Sequence, residues 1–385
     1  MSFVESDERR ALRGAVAELG GRYGHDYVVK QVKQGERLDE LWHEAGKQGL
    51  LGVNLPEQYG GGGGGMYDLS LVLEELSAAG CTLLMMIVSP AICGTIIARF
   101  GTDEQKQQWL PGIADGSKIM AFAITEPDAG SNSHKITTTA RRDQGDWILS
   151  GRKVFISGVD QADAVLVVGR TEDAKSGKLK PALFAVPTDA AGFEYRGIDM
   201  DLAMPDKQFL LFLDDVRLPA DTLIGEEDAA LMQLFAGLNP ERIMAASFST
   251  GLARFALDRA AAYAQERTVF DAPIGTHQAI AHPLAQSKIE VELARLMTQK
   301  AAALYDSGDD AGAGEAANMA KYAAAEAACD AADRAVQAHG GNGITQEYGM
   351  AGLLVATRAG RIAPVSREMI LNYVAMHSLG LPKSY

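Results

Sequence analysis

The sequence predicts an α+β chain of three successive parts: a helical domain over residues 1–118, a small antiparallel β-barrel or sandwich over 119–225, and a helical bundle over 226–385. Helical apolar spacing in the first third, short β-rich segments in the middle and long helical stretches after Gly225 predict that order. In the first part the spacing predicts helices over 39–50, 69–79, 83–100 and 103–115. Six glycines in a row, Gly60 to Gly65, read as a flexible surface turn. No Gly-Lys-Ser/Thr follows them, so they are no P-loop. In the middle part strands are expected over 136–140, 147–149, 164–168, 183–186 and 209–213, separated by turn residues and without intervening helices. That spacing disfavours a doubly wound parallel sheet, and no GxGxxG follows a strand. In the last part helices are expected over 229–266, 277–307 and 314–339, with a final one near 368–379. The alanine-rich run 316–335 is a strong helix former whose small side chains suit close helix packing.

A chain of 385 residues can bury a core large enough for a complete enzyme, and 47% hydrophobic against 22% charged residues is the balance of an ordered protein. The formal charge of −14 sets the surface against nucleic acid and anionic membranes and favours small-molecule chemistry. An anionic ligand then needs a local pocket rich in N–H donors or positive charge. No apolar run approaches the ~20 residues of a membrane-spanning helix. Cys81, Cys93 and Cys329 form no CxxC and cannot all pair, which suits buried free thiols in a reducing compartment. The N-terminal segment sets acids beside its arginines and lacks an apolar signal stretch, so the expected location is cytoplasmic. The seven histidines show no HExxH or clustered spacing, and no metal is expected.

TEPDAGS at 125–131 joins the first helical part to the first strands, and FIS at 155–157 follows GRK. RTVFDAPIGTHQAI at 267–280 and QAHGGNG at 337–343 come after them in that order. This combination resembles the acyl-CoA dehydrogenase family, and the likeness runs from the first helices to the terminal GLPKSY. Four separated motifs in order are far more specific than any one of them. The resemblance implies an N-terminal helical domain, a middle β domain and a C-terminal four-helix bundle assembled as a homotetramer, with FAD as cofactor and an acyl-CoA thioester as substrate. It implies a wall for the isoalloxazine ring built from Phe122, Ile124, Thr125, Gly130, Ser131, Phe155, Ile156 and Ser157. Thr125 and Ser157 carry hydroxyls suited to the ring's polar edge, and Phe155 offers a flat face where many relatives place tryptophan. Ser131 is also implied in contact with the thioester or CoA. Arg267, Phe270, His277, Gln278, Gln337, Gly340 and Gly341 resemble positions that hold the pyrophosphate and adenosine half of FAD bound mainly to a neighbouring subunit. A forked guanidinium suits phosphate, and glycine permits close backbone approach. Read alone, Gly340 and Gly341 stop a helix, and His277 with Gln278 starts one.

The implied chemistry removes an α-proton and passes the β-hydrogen as hydride to the flavin, so it needs one positioned carboxylate and a polarised thioester carbonyl. Many relatives carry that glutamate in a YEGT segment, but the ungapped match here is Ala363, Pro364, Val365 and Ser366. A minority, resembling isovaleryl-CoA and long-chain enzymes, place it in an LxxER pattern on the helix opening the C-terminal bundle. LNPER at 238–242 matches, which makes Glu241 the implied base and Arg242 a residue that helps set the active-site geometry and bind substrate. Asn239, Pro240 and Glu241 also read as an N-cap, a first-turn proline and an acid facing the helix dipole. Glu368 is the competing carboxylate; with Ser366 it matches flavin-contacting positions. An apolar pocket raises a glutamate's pKa toward working pH. Pro364 has no N–H to offer the thioester oxygen, so either an adjacent residue donates or the local register shifts.

The implied electron acceptor is an electron-transfer flavoprotein; a same-fold acyl-CoA oxidase and a non-catalytic flavin-binding scaffold are the other readings. Net charge opposes DNA binding, and Glu241 together with both half-site motifs opposes a degenerate subunit. Met85, Met86, Ile87 and Ser89 read either as the base of an acyl pocket or as plain core. The placement of the base points to branched or longer acyl groups.

Overall fold

The computed structural model describes residues 5–173, 177–202, 204–227 and 230–383. The expected helix start at Ala229 and the last two residues of the terminal GLPKSY lie outside the described residues. The first part holds α1 (Asp7–Gln34), α2 (Asp39–Lys47), α3 (Met66–Ala78), a π-helical segment Ile87–Gly94 that runs into α4 (Thr95–Phe100), and α5 (Asp103–Asp115). The spacing predicts no helix over α1, because it buries only Val16, Leu19, Gly20 and Val28 and breaks at Gly24, whose φ is 69°. α5 begins with a capping box: Gln105 N donates to the Thr102 hydroxyl and Thr102 N to the Gln105 side chain.

The six-glycine stretch is not the loose turn its composition predicts. All six amides donate, including Gly62 N to Gly52 O at 3.0 Å, Gly63 N to Leu55 O at 2.9 Å and Gly64 N to Val53 O at 2.8 Å. A Cβ at Gly61 would lie 2.2 Å from Leu55 O, and one at Gly65 would lie 2.2 Å from Asp306 Oδ2. Glycine is used here for close backbone packing, a demand that composition alone does not reveal.

The middle part is one sheet of β1 (Met120–Ala123), β2 (Thr139–Asp143), β3 (Asp146–Ser157), β4 (Ala164–Glu172), β5 (Leu179–Pro187), β6 (Phe193–Ile198), β7 (Gln208–Leu218) and β8 (Leu223–Ile224). Its order is β6-β7-β3-β2-β4-β5-β8, with β1 beside β4. Most pairs are antiparallel as expected, but β4 runs parallel to both β1 and β2. β1 reaches β4 through the whole β2–β3 hairpin, and a connection that long permits a parallel neighbour. β1 and β6 were outside the expected strands: β1 is buried on both faces and so shows no alternation, and β6 is mostly exposed at the sheet edge. β2 starts at Thr139 rather than 136, because the amides of Thr137 and Thr138 donate to the Glu126 carboxylate rather than to a strand carbonyl.

The last part holds α6 (Ala230–Glu266), the small hairpin β9 (Thr268–Val269) and β10 (Ala272–Pro273), α7 (Gln278–Asp306), α8 (Asp310–His339), α9 (Met350–Ile362) and α10 (Arg367–Tyr373), followed by a π-helical turn Val374–Ser378. α9 is an addition to the helices read from the spacing. One large core joins the two helical parts to one side of the sheet, and a second, around Trp147, Leu149, Phe184 and Val186, fills the sheet's other side. Arg254 and Arg295 reach from α6 and α7 to the buried Glu74 of α3, at 2.7 and 2.9 Å, and Arg13 of α1 joins the same cluster. These pairs fix how the N-terminal helices seat on the bundle, since leaving either buried carboxylate unpaired is strongly unfavourable.

The α3–α6 crossing is so close that a Cβ at Gly251 would lie 2.4 Å from Ser77 Cβ and 2.5 Å from Glu74 O. Gly251→Ala is expected to lower the melting temperature by several degrees, whereas Gly14→Ala, with nothing within 4 Å, is expected to leave it level or raise it slightly. Differential scanning calorimetry of the two variants checks this.

Candidate active site

LNPER lies well inside α6, and Pro240 is a buried interior residue of that helix. No helix starts at Asn239, which removes the capping reading of Asn239, Pro240 and Glu241. An interior proline strips the carbonyl four residues back of its helical donor. Here that carbonyl is Ala236 O, and the Tyr305 hydroxyl of α7 donates to it at 3.0 Å. Arg99 Nη1 in turn donates to the Tyr305 hydroxyl at 3.2 Å. Asn239 Nδ2 reaches Asp310 O at 3.4 Å and ties the same turn to the start of α8. Glu241 is the next residue after this pinned proline.

Glu241 is half-buried: protein crowds its carboxyl, which still keeps an accessible face. Burial pushes that carboxyl up to about 7 from its ordinary 4.5, against the pull of Arg242 and Lys321. Among the described residues no side chain or amide donates a hydrogen bond to it, so the carboxylate is left free to take a proton. Arg242 is more deeply enclosed; its Nη1 donates to Leu238 O at 2.7 Å and its Nε is buried without a partner. Lys321 of α8 is buried and donates to Val365 O, in the segment that replaces YEGT. Cys93, in the π-helical segment, is close enough for the charge of Glu241 to raise its thiol further than burial alone does.

The TEPDAGS and FIS motifs meet through a buried ion pair. Lys153 Nζ of β3 donates to Glu126 Oε1 at 2.9 Å and to Ile124 O at 3.0 Å. Glu126 also accepts from Thr137 N, the Thr137 hydroxyl, Thr138 N and the Thr138 hydroxyl, at 2.6 to 2.9 Å. Burial disfavours its charge, yet these donors and the lysine outweigh burial and hold the carboxyl at about 2. Val154 N donates to Thr125 O at 3.0 Å, so Thr125 and the FIS turn are fixed side by side. A register shift between Lys153 and Ile156 turns Phe155 outward with φ 57°, leaving it 58% exposed. Ser157 is held by Gln208, whose Nε2 donates to its hydroxyl at 2.9 Å.

Not every expected wall residue presents its side chain. Ile156 is buried in the second core and Phe122 in the large core, on opposite sides of the sheet. Ile124 and Thr125 are half-buried, and Gly130 and Ser131 are exposed. A Cβ at Gly130 would meet nothing within 4 Å, so no part of this chain makes the close approach its motif suggests. Met85, Met86, Ile87 and Ser89 are core: all four are buried, and the Ser89 hydroxyl accepts from Met120 N at 3.1 Å.

The second group of expected residues lies apart from Glu241 in sequence and on the surface. Arg267 opens the β9–β10 hairpin, and Phe270 at its tip has φ 54° and is 89% exposed. His277 and Gln278 are exposed at the start of α7, and Gln337, Gly340 and Gly341 at the end of α8. Gly340 has φ 59°, and added Cβ atoms at Gly340 and Gly341 would meet nothing within 4 Å. Open space beside these glycines, an exposed arginine and two outward phenylalanine faces are what a long, flat, phosphate-bearing cofactor requires, so the residues fit FAD. Ser366 caps α10 by accepting from Met369 N, and Glu368 is exposed beside Arg367.

Four supporting residues escaped the motif reading: Glu126, Lys153, Tyr305 and Lys321. A lysine in the middle of an alanine-rich run, and another beside an exposed aromatic in a strand, are the sequence signals that could have found two of them.

Comparison with known families matches residues 6–117 to "Acyl-CoA dehydrogenase, N-terminal domain", 121–216 to "Acyl-CoA dehydrogenase, middle domain" and 232–379 to "Acyl-CoA dehydrogenase, C-terminal domain". The chain is 68% identical over 384 residues to acyl-CoA dehydrogenase FadE12 of Mycobacterium tuberculosis, covering 100% of this chain and 99% of that protein. It is 35% identical over 374 residues to the mitochondrial long-chain specific acyl-CoA dehydrogenase of Sus scrofa, covering 97% of this chain and 86% of the other. Among solved structures, glutaryl-CoA dehydrogenase from Mycobacterium smegmatis in complex with FADH2 superposes with a TM-score of 0.90 at 29% identity, covering 99% of this chain and 96% of that one.

The raised carboxyl of Glu241 makes stability depend on pH with a definite sign. The folded state holds this proton more tightly than the unfolded chain, so the stability it contributes is complete below about 4.5 and lost as the pH rises to about 7. Glu241→Gln removes a charge-burial penalty of ~2 kcal/mol and is expected to melt roughly 3 °C above wild type at alkaline pH. The advantage should vanish near pH 5; equal melting temperatures at both pH values would contradict the enclosure of this carboxyl.

Proposed function

The chain belongs to the acyl-CoA dehydrogenase family, and from that premise we propose that it is an FAD-dependent oxidoreductase that introduces an α,β double bond into an acyl-CoA thioester, with Glu241 as the base. The observation that carries this reading is a half-buried carboxyl with no hydrogen-bond donor among the described residues, one residue past a proline pinned by Tyr305, and burial raises it toward neutrality. Bound FAD supplies the acceptor for the β-hydrogen, taken with its electron pair. Glu241 takes the α-proton on its carboxylate, and a base titrating near 7 combines a useful ionised fraction with enough affinity for that proton. Arg242, held by the Leu238 carbonyl, keeps positive charge beside the base in both of its protonation states. Thr125 and the FIS turn, tied together by Lys153 and Glu126, form the wall for the flavin ring, with Phe155 as its flat face.

Arg267, Phe270, His277, Gln278, Gln337, Gly340 and Gly341 hold the phosphate and adenosine half of FAD belonging to a neighbouring subunit, which accounts for their exposure in a single chain. Ile289, Leu293 and Leu296 form an exposed apolar stripe at helical spacing along α7, which supports a homotetramer. Ser366 and Glu368 complete the flavin contacts. Electrons then leave to an electron-transfer flavoprotein, and the acyl group is a longer or branched one.

Anaerobic mixing of the purified yellow protein with butyryl-, isovaleryl-, palmitoyl- and glutaryl-CoA is expected to bleach the flavin absorbance, fastest with isovaleryl- or palmitoyl-CoA. Glu241→Gln should bind FAD normally and bleach at least about a thousand-fold more slowly. Full-rate bleaching by that variant would remove Glu241 from the mechanism. Stoichiometric peroxide during aerobic turnover would replace the flavoprotein acceptor with oxygen. Leu293→Glu is expected to lower the oligomer mass in sedimentation and release FAD together, since the second half-site lies across the contact.

A further inference from the structure

Lys321 has no part in the mechanism above, yet it is among the most deeply buried charged residues of the chain, 2% exposed among the alanines Ala317, Ala320, Ala324 and Ala325. Burying an ammonium without a bonded carboxylate costs several kcal/mol, and a methionine would fill the slot at no such cost. Its one hydrogen bond goes to Val365 O, so it ties α8 to the 363–366 segment. The acids around it are Glu241 from α6, Glu326 from α8 and Glu368 from α10; Arg242 is the neighbouring cation. Glu326 is taken up by Arg361 at 2.8 Å and Arg367 at 3.4 Å, and Glu368 lies in solvent beside Arg367. Arg242 is turned back onto Leu238 O and also sits in the field of Tyr373. The Cys93 thiol also feels the charge of Glu241, and burial keeps that thiol neutral. Of the three acids Glu241 is the one with no bonded cation among the described residues, and it is the acid that the Lys321 charge is left to serve.

We propose that Lys321 is a positioning residue for the base: its ammonium fastens the 363–366 segment to α8 through Val365 and supplies the second positive charge within electrostatic reach of Glu241. The inference rests on Glu241 being the base. Glu241 is raised by burial, and Lys321 with Arg242 limits the rise, so removing the lysine charge moves the ionisation of Glu241 further up.

The test is anaerobic stopped-flow flavin reduction of the FAD-loaded enzyme from about pH 5.5 to about pH 9, with whichever of the four acyl-CoAs bleaches wild type fastest. In Lys321→Gln, which keeps a donor for Val365 O, the acid limb of the rate should move up by about one pH unit. The rate should then fall about five-fold at pH 7 and rejoin wild type at the alkaline end. Lys321→Arg, which keeps the charge, should leave the limb where wild type has it. A folded, yellow Lys321→Gln with the wild-type limb overturns the proposal, as does a Lys321→Arg shifted as far as Lys321→Gln. Should Lys321→Gln not fold, Lys321→Met and Lys321→Arg decide on the same limb. A lysine serving only the fold would change melting temperature or FAD content and leave the limb in place. Absence of bleaching in wild type, or full-rate bleaching by Glu241→Gln, would instead strike the proposed function.

Discussion

A crowded carboxyl one residue beyond an interior proline is the constraint on which the junction of α6, α7 and α8 depends. Enclosure makes the charge of Glu241 unfavourable and its proton affinity high, and that serves a base only if the side chain is held in one place. A proline inside a helix would by itself loosen the turn that carries it, because Ala236 O loses its donor. Tyr305 restores the bond from α7, Arg99 holds Tyr305, and Asn239 ties the same turn to α8. Glu241 is thus placed by three helices although its motif belongs to one.

The TEPDAGS and FIS turns follow the same logic in a sheet. Phe155 can be turned to the surface only because the register slips beside it, and a slipped strand needs something else to fix its position. Lys153 does so from beneath, bonded to Glu126 and to Ile124 O, while Glu126 draws in both threonines that precede β2. A fully paired buried ion pair of this kind contributes less to net stability than to a single geometry, since breaking it strands a charge. Two loops far apart in sequence are in this way held as one wall, and the exposed aromatic sits on a rigid support.

The residues around Arg267 and Gly340 lie open on a single chain. Phe270 at the tip of a two-strand hairpin, Arg267 at its base and the open glycines after α8 are exposed together with the apolar stripe on α7. Exposed large apolar side chains at regular helical spacing are unfavourable in a lone protomer and are ordinary in an assembled one. The motif order TEPDAGS, FIS, RTVF and QAHGGNG made the family legible without coordinates, because each carries residue types whose chemistry is unusual at that spacing. What the motifs did not reveal is which members turn inward: Ile156 and Phe122 pack into the cores on opposite sides of the sheet, a matter of register rather than of residue type.

The sequence by itself determined the order of helical and β parts, the family and the carboxylate to examine first, since apolar periodicity and motif chemistry are properties of neighbouring residues. Its errors are of one kind. α1 was missed because it buries so little of its length, β1 because it is buried on both faces, and the six glycines were misread because their need for close contact arises from segment 52–56 beyond them. Only the tertiary structure decided that Asn239 is no cap, that Met85 to Ser89 are core, and that Tyr305, Lys153 and Lys321 matter. Those pairings join residues 69, 27 and 44 positions apart, and no local pattern records them because the partner is brought near only by folding.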